Sequence, residues 1–161
     1  MSRSCASTES PKEVNAVDQV VIRRLQPEDA EAIYKISIAI TSVPSDLDMK
    51  KVIKEQAGRE DDASFVAEID GQVRGYAIIT IFSGVFGIKR SAWISLLGVH
   101  PRYMGRRIGE RLAEEGFRYC SSLGVKDVYT TVRWDSTDLL SFFKTLGFDR
   151  SNFINLRKVL D

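Results

Sequence analysis

Leu97 to Leu112 reads LGVHPRYMGRRIGERL, and how this stretch folds decides the rest of the chain. It passes from apolar residues, through the turn signal at Pro101, into a pattern in which Ile108, Leu112, Ala113, Gly116 and Phe117 recur at helical spacing. A strand therefore ends at Val99, and a helix begins near Arg107 with Gly105 and Gly109 about its first turn. The first N–H groups of a helix have no partner within it, and its dipole is positive there, so such a start attracts anions. Glycine lets the backbone approach a phosphate closely, and Arg106 and Arg107 add mobile positive charge. From this stretch alone, a plain strand-to-helix turn with two incidental glycines is the competing reading.

Upstream, Ser91 to Val99 (SAWISLLGV) is almost continuously apolar, which predicts a strand covered on both faces and hence helices lying on the sheet. Ser64 to Ile69 and Val73 to Phe82 flank the turn Asp70-Gly71-Gln72 and predict a β-hairpin. Earlier still, the β-branched run within Gln19 to Leu25 predicts a first strand, followed by the helix-start signal Pro27, Glu28, Asp29. That helix directs Ala30, Ile33, Ile36 and Ile40 inward, and TSVPSD (41–46) breaks it, with Asp46 as the cap of a second helix running to about Glu60. Downstream, Gly124 ends the helix that started near Arg107, and Val125 to Val132 predicts the next strand, so strand, helix and strand form a right-handed crossover. Asp135 or Ser136 caps a last helix, LLSFFKTLG (139–147), and Phe148 to Leu160 returns as a closing strand or strand pair. Residues 1–18 have scarcely an apolar cluster and predict a flexible leader before a single domain at 19–161.

The chain of 161 residues is 43% hydrophobic and 28% charged, the balance of an ordinary globular domain with a core that needs no disulfide. Lys and Arg number 23 against 22 acidic residues, which argues against nucleic acid or a membrane surface as partner. Two cysteines form neither a disulfide framework nor a zinc spacing, so a reducing, cytoplasmic setting is expected, and no apolar run approaches the roughly 20 residues that span a bilayer.

The segment Met104-Gly105-Arg106-Arg107-Ile108-Gly109, with its lead-in Val99-His100-Pro101, resembles motif A of the GNAT superfamily, Q/R-x-x-G-x-G/A, which binds the pyrophosphate of acyl-CoA. Met104 stands where Arg or Gln is usual, and Arg107 replaces the middle glycine. FVAEIDGQVRGYAII (65–79) resembles the family's central hairpin, and LLSFFKTLGF (139–148) its last helix with the L-G-F ending. The resemblance spans about residues 19–160. It implies an α/β (α+β) fold with a mixed, mostly antiparallel sheet of six to seven strands and about four helices. It further implies that acetyl-CoA is the co-substrate, with no metal, and that the strand ending at Val99 splays from the strand after Lys126. Leu97, Gly98 and Val99 would then line the pantetheine arm, with main-chain bonds from Leu97 and Val99. Met104 to Gly109 would cradle the pyrophosphate through amides, and Phe143 would lie beside the thiol. Arg107 is expected in ordinary helical dihedrals, its side chain outward or on a phosphate.

By the same resemblance the chain is an N-acetyltransferase acting by direct attack of a primary amine, in a small molecule, a protein lysine or a protein N-terminus. The Val99 N–H would hold the oxyanion, a kind of donor whose loss costs about 10²-fold or more. A homodimer through the C-terminal strands is also within the family's range. Many relatives protonate the leaving thiolate with a tyrosine in the last helix, but that position is Phe143, and the glutamate some carry before motif A falls on Ser95. Asp135, at a strand's C-terminal end, remains the leading carboxylate for the amine, against the blander role of helix cap, and Tyr129 is a further candidate if its face is right. His100 reads as a turn residue, Glu68 as solvent-facing or structurally paired, Tyr103 and Tyr119 as packing residues, and Trp93 and Trp134 as core or cleft-wall aromatics. No metal-ligand cluster or nucleophile triad is present. The altered loop and missing tyrosine motivate an alternative, a non-catalytic acyl-CoA sensor. A Rossmann domain is disfavoured because no G-x-G-x-x-G follows the first strand.

Overall fold

In the computed structural model, which describes residues 19–44, 48–84 and 87–161, apolar alternation and turn chemistry produce five strands and four helices. The strands are β1 (Val21–Arg24), β2 (Phe65–Ile69), β3 (Gln72–Ser83), β4 (Arg90–Val99) and β5 (Asp127–Thr130); the helices are α1 (Ala30–Thr41), α2 (Met49–Gln56), α3 (Ile108–Ser122) and α4 (Thr137–Thr145). The sheet order is β1-β2-β3-β4-β5, with β1 to β4 antiparallel in sequence. The β2–β3 hairpin closes through Asp70 (φ 52°) and Gly71 (φ 73°), two positive φ values in succession that match the right-handed twist of the strands.

Chain entry into α1 is fixed by charge. The Asp29 carboxylate, almost fully buried, accepts a hydrogen bond from the Gln26 N–H (2.8 Å) and a forked pair from Arg23 (2.8 Å each). Arg23 also reaches Glu68 on β2 at 2.8 Å, so one guanidinium ties β1, its neighbour strand and the helix start together.

Alternation sends the two faces of the sheet to different helices. Val66, Tyr76 and Ile78 pack with Ile33 and Ile36 of α1 and Met49 and Ile53 of α2. The opposite face meets α3, and it does so closely. A Cβ on Gly75 would lie 3.1 Å from Leu112 and 3.2 Å from Ile108, and one on Gly116 would run into Ile79 Cδ1. Those two glycines let the helix seat on β3.

Several expectations change. The sheet has five strands, because Phe148 to Leu160 enters no ladder among the described residues; Ile154, Leu156 and Leu160 stand exposed. Local bonds, Arg150 N–H to Asp149 and Phe153 N–H to Ser151 Oγ, turn the chain instead. Ile40 is at the rim rather than inward. The second helix ends at Gln56, short of Glu60, and its cap is Asp48, which accepts from Lys51 N–H (3.2 Å); the expected cap Asp46 and the leader 1–18 lie outside the described residues. The strand expected at 125–132 narrows to β5, and the last helix starts at Thr137. Contact density divides the chain into two compact units, one ending at Tyr129 and one running from Thr130 to Asp161.

Overpacking at the α3–β3 seam should be costly. Gly116→Val is expected to lower stability by about 1–3 kcal/mol despite the better helix propensity of valine, read as a shift in the urea midpoint.

Candidate active site

β4 is bonded on one side far more than on the other. It pairs with β3 from Ser83↔Arg90 to Gly75↔Val99, whereas its contacts with β5 are sparse. The His100 N–H donates to Arg74 O (2.8 Å), towards β3. Main-chain groups in an antiparallel pair alternate sides, so Gly98 also faces β3, and the N–H and C=O of Leu97 and Val99 point away from it. Those groups line the side where β5 lies.

A register shift between Ile78 and Ile79 sets Leu96 opposite the first and Ile94 opposite the second, leaving Ser95 as an extra residue in β4. This is a β-bulge, which bends the strand and increases its twist. The exposed Ser95 hydroxyl donates to Ile78 O at 3.3 Å, so it is already engaged. Near the start of β4, Trp93 stacks on Tyr129 of β5 with centroids 5.0 Å apart and donates its Nε1–H to Ser91 Oγ (3.0 Å).

After Val99 the chain makes a single 3-10 turn, Pro101–Tyr103, capped by His100, whose Nδ1 accepts from the Arg102 N–H (3.2 Å). His100 is thus a turn residue, as its place in the sequence implied. The next residues alternate in the sign of φ. Met104 is at −64°, Gly105 at +77°, Arg106 negative, and Arg107 at +60°. Alternation of this kind turns successive N–H groups to one side, the concave arrangement that holds anions. Here it runs directly into the N-terminus of α3, with Ile108 buried as the anchor and Gly109 in the first turn.

The expectation of helical dihedrals at Arg107 is therefore corrected: φ 60°, ψ 20° is left-handed. The tight entry into α3 needs that conformation at the cap whatever the side chain. The side chain itself does point outward, with Nε 2.7 Å from Glu110, and that carboxylate raises the guanidinium's pKa. Arg106 and Arg74 both lie over the Tyr103 ring, at 5.2 and 5.1 Å, placing two cations beside the loop. The buried Arg74 Nε has no hydrogen-bond partner among the described residues.

In the second unit, Asp135 does not cap α4. Ser136 occupies that position, and the Asp135 carboxylate is gripped by Arg133 at 2.7 and 2.9 Å. That guanidinium holds the carboxyl below the usual aspartate range. Phe143 is buried, edge-on to Phe142 and Phe148. Trp134 is exposed, and Tyr119 packs under Arg24 and edge-on to Phe65.

The structure also draws attention to Tyr76, which sequence reasoning passed over. Its ring lies across the bare Cα of Gly98, where a Cβ would be 2.8 Å from the phenolic oxygen. A glycine inside an otherwise apolar strand was the available signal, since such a residue often marks a close approach.

An alternating-φ loop at a helix start, beside a strand with one outward-facing backbone edge, suits a long ligand carrying a diphosphate and amide groups. The model of the acetyltransferase (GNAT) family matches residues 30–148, and the chain belongs to that family. A mycothiol acetyltransferase from Amycolatopsis mediterranei (strain U-32) is 30% identical over 100 residues, 60% of this chain. The chain covers 33% of that relative's length. Among solved structures, the aminoglycoside acetyltransferase AAC(6')-Iy in complex with the bisubstrate analogue CoA-S-monomethyl-acetylneamine superposes with TM-score 0.73 at 20% identity, over 88% of this chain and 99% of that one. The ribosomal-protein-S18-alanine N-acetyltransferase from Escherichia coli superposes with TM-score 0.68 at 22% identity, over 83% and 79%.

A non-glycine residue held at positive φ stores strain of about 1–2 kcal/mol. Arg107→Gly should therefore raise stability by about 1 kcal/mol, and Arg107→Val should lower it by at least as much, both as midpoints of urea unfolding.

Proposed function

We propose that residues 19–161 form one acyltransferase domain that moves an acetyl group from acetyl-CoA to a primary amine by direct attack. The observation that carries this reading is the alternating-φ loop from Met104 to Arg107, seated where β4 turns its Leu97 and Val99 main-chain groups away from β3. Met104 to Gly109 supply amides to a diphosphate, Arg74 and Arg106 add charge beside them, and Leu97 to Val99 pair with the pantetheine arm as an added strand would.

In the reaction the amine nitrogen attacks the thioester carbonyl, a C–N bond forms and the C–S bond breaks. The nitrogen loses one proton and the departing thiolate gains one. The Val99 N–H holds the oxyanion between these events. An amine of lysine type, with a pKa of about 10.4, must first be deprotonated, which sets the pH dependence of the reaction. Among the neighbouring folds are an aminoglycoside acetyltransferase and a ribosomal-protein-S18-alanine N-acetyltransferase, so aminoglycosides and peptides bearing alanine head the amine panel to be tried.

Calorimetry with CoA and acetyl-CoA, followed by thiol release with acetyl-CoA and the amine panel, tests the reading. Binding with turnover supports it; absence of affinity for either ligand in folded protein refutes it. Gly105→Val, which cannot keep φ 77° without strain, is expected to weaken CoA binding at least about tenfold while leaving the fold intact.

A second reading, a sensor that binds acyl-CoA without catalysis, is favoured by one set of facts. Phe143 has no proton to donate, Ser95 is bonded to the backbone, and Asp135 is committed to Arg133. Tight binding with no turnover across the panel would select it. If turnover occurs, Asp135→Asn should leave the ascending limb of the kcat/KM pH profile where it is. A carboxylate held below its usual range stays ionised through that limb and cannot be the group titrating there.

A further inference from the structure

The Tyr76 hydroxyl lies against Gly98, near the C-terminal end of β4, on the face of the sheet that packs with α1 and α2. Tyr76 sits opposite Gly98 in the β3–β4 ladder, and only 4% of the residue is exposed. An alanine Cβ at position 98 would meet its oxygen at 2.8 Å and its Cζ at 2.9 Å, so the absence of a side chain there is what admits the phenol. The oxygen makes no hydrogen bond with any described residue. Among the described residues the side-chain atoms that are both sealed and without a partner are Arg24 Nε and Arg74 Nε, and the Tyr76 oxygen is not one of them. Ile40 Cδ1, from the rim of α1, lies over the same point, 2.9 Å from the position of that absent Cβ. A nearly buried donor and acceptor left without a partner among the described residues is poised for a ligand.

What surrounds it is chemically selective. Val66, Ile78 and Ile36 share its cluster and Leu96 packs against them. Burial alone raises the phenol's pKa, with no charged neighbour contributing. The group is therefore a neutral phenol near pH 7, unable to serve as a base but able to accept a hydrogen bond from an N–H. Gly98 lies between Leu97 and Val99, whose main-chain groups take the pantetheine arm in the reading above, so the phenol opens on the same short piece of β4 from the α1–α2 face.

We propose that Tyr76 orients the acceptor: its oxygen takes a hydrogen bond from the incoming primary amine, aiming the nitrogen lone pair at the thioester carbonyl. The apolar walls favour the uncharged, nucleophilic form of that amine over its ammonium. No proton is transferred to Tyr76; the proton shed on attack leaves through water. The assignment rests on the acyl-transfer reading, and it makes Tyr76 a residue that touches the substrate.

Tyr76→Phe is the test, with the amine turned over fastest in the panel. The CoA dissociation constant should stay within about twofold, and the thermal midpoint should not fall, because no structural partner is lost. The value of kcat/KM for the amine should drop at least about tenfold, with the shape and position of the pH profile kept. An unchanged kcat/KM overturns the proposal while leaving acyl transfer intact. A shifted ascending limb overturns it in favour of a base, and a lowered thermal midpoint in favour of a structural role. If the parent binds CoA and acetylates nothing, the acyl-transfer reading has failed instead, and the acceptor role of Tyr76 falls with it.

Discussion

The unequal bonding of β4 is the constraint on which the rest of this structure depends. A strand buried in a sheet normally spends both rows of its backbone groups on neighbours, because an unpaired buried amide is costly. Here β3 takes one row along the whole of β4, and β5 meets the other only sparsely. That state persists because β4 is fixed by other means. Its ladder to β3 is long, and β3 in turn is clamped against α3 at Gly75 and Gly116, where an added Cβ would press on Leu112 and Ile108 or run into Ile79 Cδ1. The helix that provides the clamp also begins at the alternating-φ loop, so one packing contact sets both the rigidity of the strand and the position of the loop beside it.

Much of this was legible in the sequence, for reasons that can be stated residue by residue. The hairpin around Asp70 and Gly71 could be read because its turn chemistry is strict, and α3 because Ile108, Leu112 and Gly116 keep their helical period. The bulge at Ser95 could not be read. In a run such as SAWISLLGV, apolar on both faces, inserting one residue leaves the pattern looking the same, so nothing in the residue types announces which position is extra. Arg107 misled for a different reason. Its side chain prefers a right-handed backbone, but its conformation is dictated by the turn into α3, a tertiary demand invisible to propensity. The C-terminal residues failed in a third way: Ile154 and Leu156 alternate with Asn155 and Arg157 as in a strand, yet alternation supplies only a face, and a strand also needs an edge to join.

The charge at the loop follows the same logic of backbone first. The exposed pair between Arg107 and Glu110 contributes little, because solvent screens it. That does not exceed the strain of a left-handed arginine, so the pair is no explanation for the residue's conformation. The guanidiniums of Arg74 and Arg106 are better placed. Stacked on the Tyr103 ring they lose less freedom on meeting an anion than an unsupported side chain does, and the buried Arg74 Nε still has a bond to give. Amides set the shape of the site, and the two stacked cations set its sign.

The absence of an acid at Phe143 weighs little against acyl transfer, because the two partners of the reaction differ in their need for help. A thiolate whose conjugate acid has a pKa of about 8.5 departs readily without a donor, whereas an amine with a pKa of about 10.4 is almost wholly protonated near neutrality and cannot attack. The demanding step lies on the acceptor side. Ser95 and Asp135 do not meet that demand, the first bonded to Ile78 O and the second paired with Arg133. Desolvation does, since moving an amine into apolar surroundings lowers its pKa by the same physics that raises the pKa of Tyr76. A site of this composition would accelerate transfer by selecting the neutral amine and pointing it, with bulk water carrying the proton away.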